Sequence, residues 1–227
     1  MWVKICGQTC AEDAVRSAEL GADAVGFVFA PSVRRVTVEQ VKAISAVMPQ
    51  GVERVGVFGT GGVHSVAEAA REAGLTSVQL HGGLDLDFAA QLGGALGPEI
   101  GIIQTLHWRV DEDAADVTQA ADLIRQQLDA VAQAGRSIRV LVDAKVGSSA
   151  AGGTGRSFNW QAARDILHAH PGLQIVVAGG LRPENVADAV KVLHPWGVDV
   201  ASGVEREPGR KDLAKVKLFI ENARGVA

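Results

Sequence analysis

Short apolar runs rich in β-branched residues alternate with amphipathic stretches of Ala, Glu, Arg and Gln along the whole chain, about eight times over. The runs predict strands at Trp2–Cys6, Ala24–Phe29, Arg54–Phe58, Ser77–His81, Ile100–Thr105, Arg139–Asp143, Gln174–Ala178 and Val198–Ala201. Helical periodicity predicts Ala11–Leu20, Val38–Met48, Ser65–Ala73, Thr118–Ala134, Trp160–His168, Arg182–Val192 and Asp212–Ala223, with a weaker helix near Asp85–Leu92. The glycine-rich stretch Gly93-Gly94-Ala95-Leu96-Gly97-Pro98 reads as a loop. Eight such units are what a closed (β/α)8 TIM barrel requires, so the α/β chain 1–227 is expected to form one barrel domain. A doubly wound sheet would carry G-x-G-x-x-G after its first strand, whereas here that turn is Cys6-Gly7-Gln8-Thr9 and the glycine clusters come late.

Chemistry in such barrels sits where strands end. Period-two alternation puts Val3 and Ile5 on one face of the first strand and Trp2, Lys4 and Cys6 on the other, so the thiol is a directed group at a strand end. The sixth strand ends on Asp143, the fourth on Gln79 and His81, which share a face. Lys4 and Asp199 are expected to pair inside the barrel, because first and last strands become neighbours on closure and a buried lysine needs a partner. Cys10, at a helix start, is expected to be structural.

Composition narrows the ligand. A 47% apolar content supports a sizeable core, and a net charge of −4 with interspersed signs leaves no basic stripe for nucleic acid or membrane. Lacking a long apolar run or a leader pattern, the protein is expected to be cytoplasmic, with a small soluble molecule as its ligand. The two cysteines, spaced C-x-x-x-C, fit neither a zinc site nor a redox pair, and no metal is expected.

The segments VKICG, GFVFAPSVRR, GVF, QLHG, LVDAKVG, GGTGRSFNW, AGGLRPENV and VDVASGVE occur in that order, and together they resemble phosphoribosylanthranilate isomerases of tryptophan biosynthesis. The resemblance implies a cofactor-free Amadori rearrangement of N-(5-phosphoribosyl)anthranilate, with Cys6 as general base and Asp143 as general acid. It further implies that Arg34 contacts the anthranilate carboxylate, with Arg35 as the alternative, and that Asp199 lies near the sugar. His81 is either at the pocket rim or a hydrogen-bonded core histidine. Without an obvious lysine, the phosphate is expected on backbone N–H groups of Gly152, Gly153, Gly155, Gly179, Gly180, Ser202 and Gly203, with Ala201 where relatives often have serine. A free thiol titrates near ~8.5 and a free Asp near ~3.9, so the pocket is expected to lower the first and raise the second. Indole-glycerol-phosphate synthase chemistry would call for lysines and glutamates at several strand ends, and a two-aspartate isomerase would call for aspartate in place of Cys6. A barrel that only binds a phosphorylated ligand would be expected to lack the acid or the base.

Overall fold

The computed structural model describes residues 1–110, 114–134, 138–146 and 160–226. Eight parallel strands close into a barrel in chain order: β1 (Trp2–Ile5), β2 (Ala24–Val28), β3 (Glu53–Phe58), β4 (Ser77–Leu80), β5 (Gly101–Val110), β6 (Ile138–Val146), β7 (Ile175–Ala178) and β8 (Gly197–Val200). Each is followed by a helix: α1 (Ala11–Glu19), α2 (Val38–Ser45), α3 (Val63–Glu72), α4 (Leu86–Leu96), α5 (Ala114–Gln133), α6 (Trp160–His168), α7 (Val186–Leu193) and α8 (Leu213–Arg224). The barrel fold expected from the alternation is the fold observed. No helix among the described residues is long and apolar enough to cross a membrane.

The alternation of each strand sorts its side chains into two cores. Val3, Ile5, Val25 and Phe27 face outward and join the apolar layer beneath the helices. Ala24, Val55, Ile103, Leu141 and Val176 face inward and fill the barrel with Trp2 beside them. Closure pairs β1 with β8 in a register that sets Trp2 opposite Gly197 and Lys4 opposite Asp199. A Cβ on Gly197 would lie 2.9 Å from the Trp2 ring, so glycine there admits the tryptophan at the seam.

Several elements depart from the sequence expectation, β6 among them, which runs past the expected end at Asp143 to Val146. The expected loop at 93–98 is the last part of α4, which runs through Leu96 and stops at Gly97, whose φ of 83° is left-handed. Ala89, Leu92 and Leu96 recur at helical spacing and are buried, and this burial outweighs the low helix propensity of Gly93 and Gly94. Strand β5 continues to Val110, because β6 runs on alongside it to Val146 and supplies partners for every added residue. Beyond β8, a single 3-10 turn (Ser202–Val204) leads into a two-stranded antiparallel hairpin, β9 (Glu205–Glu207) with β10 (Arg210–Lys211), which no periodicity announces.

At the N-terminal end of the barrel a cation packs against a pair of touching indole rings, Trp2 and Trp196, whose centroids are 5.3 Å apart. The Arg139 guanidinium lies 5.1 Å from the Trp2 ring centroid and 5.7 Å from that of Trp196, and it pairs with both Glu53 oxygens at 2.9 and 2.6 Å. Arg139→Ala leaves the Glu53 carboxylate with only its Trp2 and Ser77 hydrogen bonds and no cation, and removes both ring contacts. It is expected to destabilise the fold by about 2 kcal/mol, lowering Tm by about 4–8 °C in a thermal melt, with kcat/KM changed less than about twofold.

Candidate active site

A cavity of about 430 Å³ opens at the C-terminal ends of the strands. Cys6, Gln79, His81, Asp143 and Asp199 all line it, as does Arg34 from the loop after β2. Cys6 follows the last residue of β1, and its N–H still donates to the Val200 carbonyl at 2.8 Å, so the strand geometry carries through to the thiol. Its carbonyl accepts from the buried Lys211 ammonium at 2.5 Å. Gly26 on β2 makes the space: a Cβ there would lie 2.7 Å from the Cys6 sulfur and 3.0 Å from Lys4 Cε.

Lys4 and Asp199 meet beneath the thiol, Nζ to Oδ1 at 2.9 Å, with the lysine fully buried. Burial alone would favour the neutral amine, yet the Asp199 carboxylate and the Cys6 sulfur hold the ammonium above the usual lysine range. Across the cavity Asp143 pairs in register with His107 of β5. The His107 Nε2–H donates to the His81 carbonyl at 2.8 Å, which turns Nδ1 toward Asp143 Oδ2 at 3.7 Å. His81 and His107 rings stand edge to face with centroids 4.7 Å apart. Among the described residues, His81, His107 and Asp143 form one group of metal-ligand types, with donor atoms within 4.8 Å of one another. Gln79 is 2% exposed; its Nε2 donates to Thr105 Oγ1 at 3.1 Å, while its Oε1 has no hydrogen-bond partner among the described residues.

Arg34 reaches the cavity, whereas Arg35 is exposed and lines none of it. Gly7, at φ 78°, lets the arginine pass: a Cβ there would lie 2.6 Å from Arg34 Cδ. The guanidinium gives Nε and Nη2 to the two oxygens of Glu205 at 2.7 and 2.6 Å. Gly179 and Gly180, both with positive φ, line the cavity with Ser202 and Gly203. A Cβ on Gly203 would collide with the Leu181 carbonyl, so glycine there lets the loops after β7 and β8 touch. Gly152, Gly153 and Gly155 lie outside the described residues. A second cavity, about 380 Å³, lies between the loops after β3 and β4, lined by Phe58, Leu80, Asp85 and Phe88 among others. Its carboxylate, Asp85, is engaged in capping α4 through the Phe88 N–H at 2.8 Å, so the reactive groups gather in the larger cavity.

The family model described as N-(5'phosphoribosyl)anthranilate (PRA) isomerase matches residues 3–222. The chain belongs to the PRA isomerase family. An N-(5'-phosphoribosyl)anthranilate isomerase of Thermotoga neapolitana is 40% identical over 228 residues, covering 99% of this chain and 98% of that protein. The crystal structure of the phosphoribosyl anthranilate isomerase of Thermotoga maritima superposes with a TM-score of 0.79 at 35% identity, covering 99% of each chain. That of N-(5'-phosphoribosyl)anthranilate isomerase from Pyrococcus furiosus gives 0.78 at 26% identity and full coverage of both.

Around this cavity, four contributors carry no signal in the local sequence pattern. Gly26 shapes the thiol pocket, His107 faces Asp143, and Glu205 and Lys211 brace Arg34 and Cys6. The G-F-V-F and S-G-V-E segments contain two of them, but only long-range contact gives them work. The structure also reverses the direction expected for the thiol. Burial pushes Cys6 above the usual thiol range; Lys4 and Lys211 pull it down, Asp199 pushes it further up, and burial wins. Because its pKa is raised, Cys6 is protonated at neutral pH and becomes thiolate only at higher pH. In a Cys10→Ser background, iodoacetamide alkylation of the free enzyme should therefore show a half-point above the ~8.5 of a free thiol. A half-point at or below that value would contradict the buried-thiol account.

Proposed function

We infer that this chain isomerises N-(5-phosphoribosyl)anthranilate to 1-(2-carboxyphenylamino)-1-deoxyribulose 5-phosphate, a step of tryptophan biosynthesis, with Asp143 as general acid and Cys6 as general base. The Asp143 carboxylic acid protonates the furanose ring oxygen as the C1′–O bond breaks and the nitrogen lone pair forms an iminium. The Cys6 thiolate then takes the C2′ proton, the C2′–H electrons form the C1′–C2′ double bond, and the iminium pair returns to nitrogen. Ketonisation adds a proton at C1′ and removes one from the 2′-hydroxyl, so the product is an isomer and no redox cofactor is consumed. The observation that carries this reading is one cavity, of about 430 Å³, lined by both groups and large enough for a sugar phosphate.

The remaining lining residues suit the substrate's other groups. Arg34 matches the anthranilate carboxylate, and the backbone of Gly179, Gly180, Ser202 and Gly203 suits the phosphate, with Gly152, Gly153 and Gly155 proposed to complete that cradle. Asp199 and His81 border the sugar, and the Gln79 Oε1 offers an acceptor to a hydroxyl. A thiol raised by burial is a strong base once ionised, and Lys4 and Lys211 are the cations that support its thiolate. The same reading makes the protein a cytoplasmic enzyme, monomer or homodimer, whose partner is a small phosphorylated substrate rather than nucleic acid or membrane.

Anthranilate fluorescence changes during the rearrangement and serves as the assay. Cys6→Ser and Asp143→Asn are each expected to lower kcat by about 10² to 10⁴ while titration still detects product binding. Turnover equal to the parent in either variant rejects that residue's role. Gly26→Ala, whose new methyl meets the sulfur, is expected to cost about 10² in kcat with the fold retained.

A further inference from the structure

Glu205 and Lys211 lie outside the proton-transfer pair, yet they tie the loop carrying Arg34 to the strand end carrying Cys6. Glu205 Oε1 accepts from Arg34 Nε at 2.7 Å and from Lys211 Nζ at 3.0 Å, and Oε2 accepts from Arg34 Nη2 at 2.6 Å. Lys211 also donates to the carbonyls of Cys6 at 2.5 Å and Ala201 at 3.3 Å. The Glu205 side chain is 5% exposed and that of Lys211 0%, against 22% for Arg34. The hairpin bearing both is itself tied down: Thr9 Oγ1 donates to the Gly209 carbonyl at 2.6 Å, and Asp13 accepts from the Lys211 N–H at 2.9 Å. Arg34, by contrast, belongs to a loop whose neighbour Val33 is 75% exposed. A long side chain from such a loop has rotamer freedom to lose, and a rigid carboxylate removes it in advance.

We propose that Glu205 is a positioning residue for the substrate's carboxylate: it grips the side edge of the Arg34 fork and so fixes the end edge for a second, substrate carboxylate, while Lys211 keys the grip to the strand end carrying Cys6. This rests on the reading of Arg34 as the carboxylate-binding residue. The chemistry allows it, because a guanidinium has five N–H donors and Glu205 takes two, leaving a second bidentate edge between Nη1 and Nη2. Charge alone argues the other way. A carboxylate beside an anion-binding arginine weakens the local positive potential, so Glu205 acts by orientation and its removal separates the two effects. Burial alone would raise the Glu205 carboxyl, but Arg34 and Lys211 hold it below the usual range, so it stays ionised at neutral pH as this grip requires.

The test measures calorimetric affinity for the product and for its counterpart without the aryl carboxylate, 1-phenylamino-1-deoxyribulose 5-phosphate. Parent, Arg34→Met and Glu205→Gln are compared, with thermal melts for each. The expected result is that Glu205→Gln binds product about 10- to 100-fold more weakly despite its extra net positive charge, and binds the counterpart within about threefold of the parent. Unchanged or tighter product binding overturns the proposal, as does an equal loss for both ligands, which would mark Glu205 as merely structural. A parent that does not distinguish the ligands, with Arg34→Met behaving alike, overturns the Arg34 reading and the proposal with it. If Arg34→Met loses the distinction and Glu205→Gln keeps it, only the proposal fails. Should Glu205→Gln not fold, Glu205→Asp keeps the charge that Lys211 needs while shortening the reach, and its ligand ratio is expected to fall in the same direction.

Discussion

A buried ion pair between the first and last strands underlies the rest of this molecule. Lys4 and Asp199 are register partners across the seam that closes the barrel, and their charged atoms meet at 2.9 Å where apolar side chains otherwise fill the interior. Two charges withdrawn from water attract strongly only when each has the other, so the pair tolerates one register and disfavours neighbouring ones. A one-residue slip would turn Lys4 outward beneath the helices, where it would face an apolar layer, and would carry Cys6 out of the cavity with it. Closure of the fold and direction of the thiol are thus one geometric fact. The same ammonium sits beside the sulfur, so the group that helps close the barrel also moderates the basicity of the thiol.

The two ends of the barrel divide the work. At the N-terminal end, Arg139 against two indole rings and Glu53 binds strand starts together and lines none of the cavity. At the C-terminal end, glycines hold open the space that chemistry needs: Gly26 for the sulfur, Gly7 for Arg34, Gly203 for the contact between two loops. A side chain at any of these would gain packing and lose the site. Charge is arranged there in short linked groups, Lys4 with Asp199 and Arg34 with Glu205 and Lys211, so that each of these charges has an opposite partner. The hairpin after β8 brings two of those partners to the back of Cys6, which makes it part of the site although it lies outside the barrel proper.

Strand and helix alternation, the strand-end thiol and the Lys4–Asp199 pairing were all legible in the sequence, because each follows from a period of two or from the adjacency of first and last strands in a closed sheet, whereas the expected strand end at Asp143 is overrun by β6, which continues to Val146. The ordered motifs carried the family. Legibility failed where a partner outside the local window set the outcome. Leu92 and Leu96 are buried against distant elements, and that gain keeps α4 helical through glycines that read locally as a loop. The length of β5 depends on how far β6 runs beside it.

Local pattern therefore specified the barrel, the order of its elements and the two groups on which proton transfer is proposed to turn, since periodicity, turn chemistry and strand-end position are properties of neighbouring residues. It left open which of two adjacent arginines reaches the cavity and what holds that arginine, and it pointed the shift of the thiol the wrong way. Those answers depend on solvent exclusion and on the distances between charges that lie up to two hundred residues apart in the chain, as Lys4 and Asp199 do. Desolvation and Coulomb attraction act through space, and space is assigned only when the eight strands close.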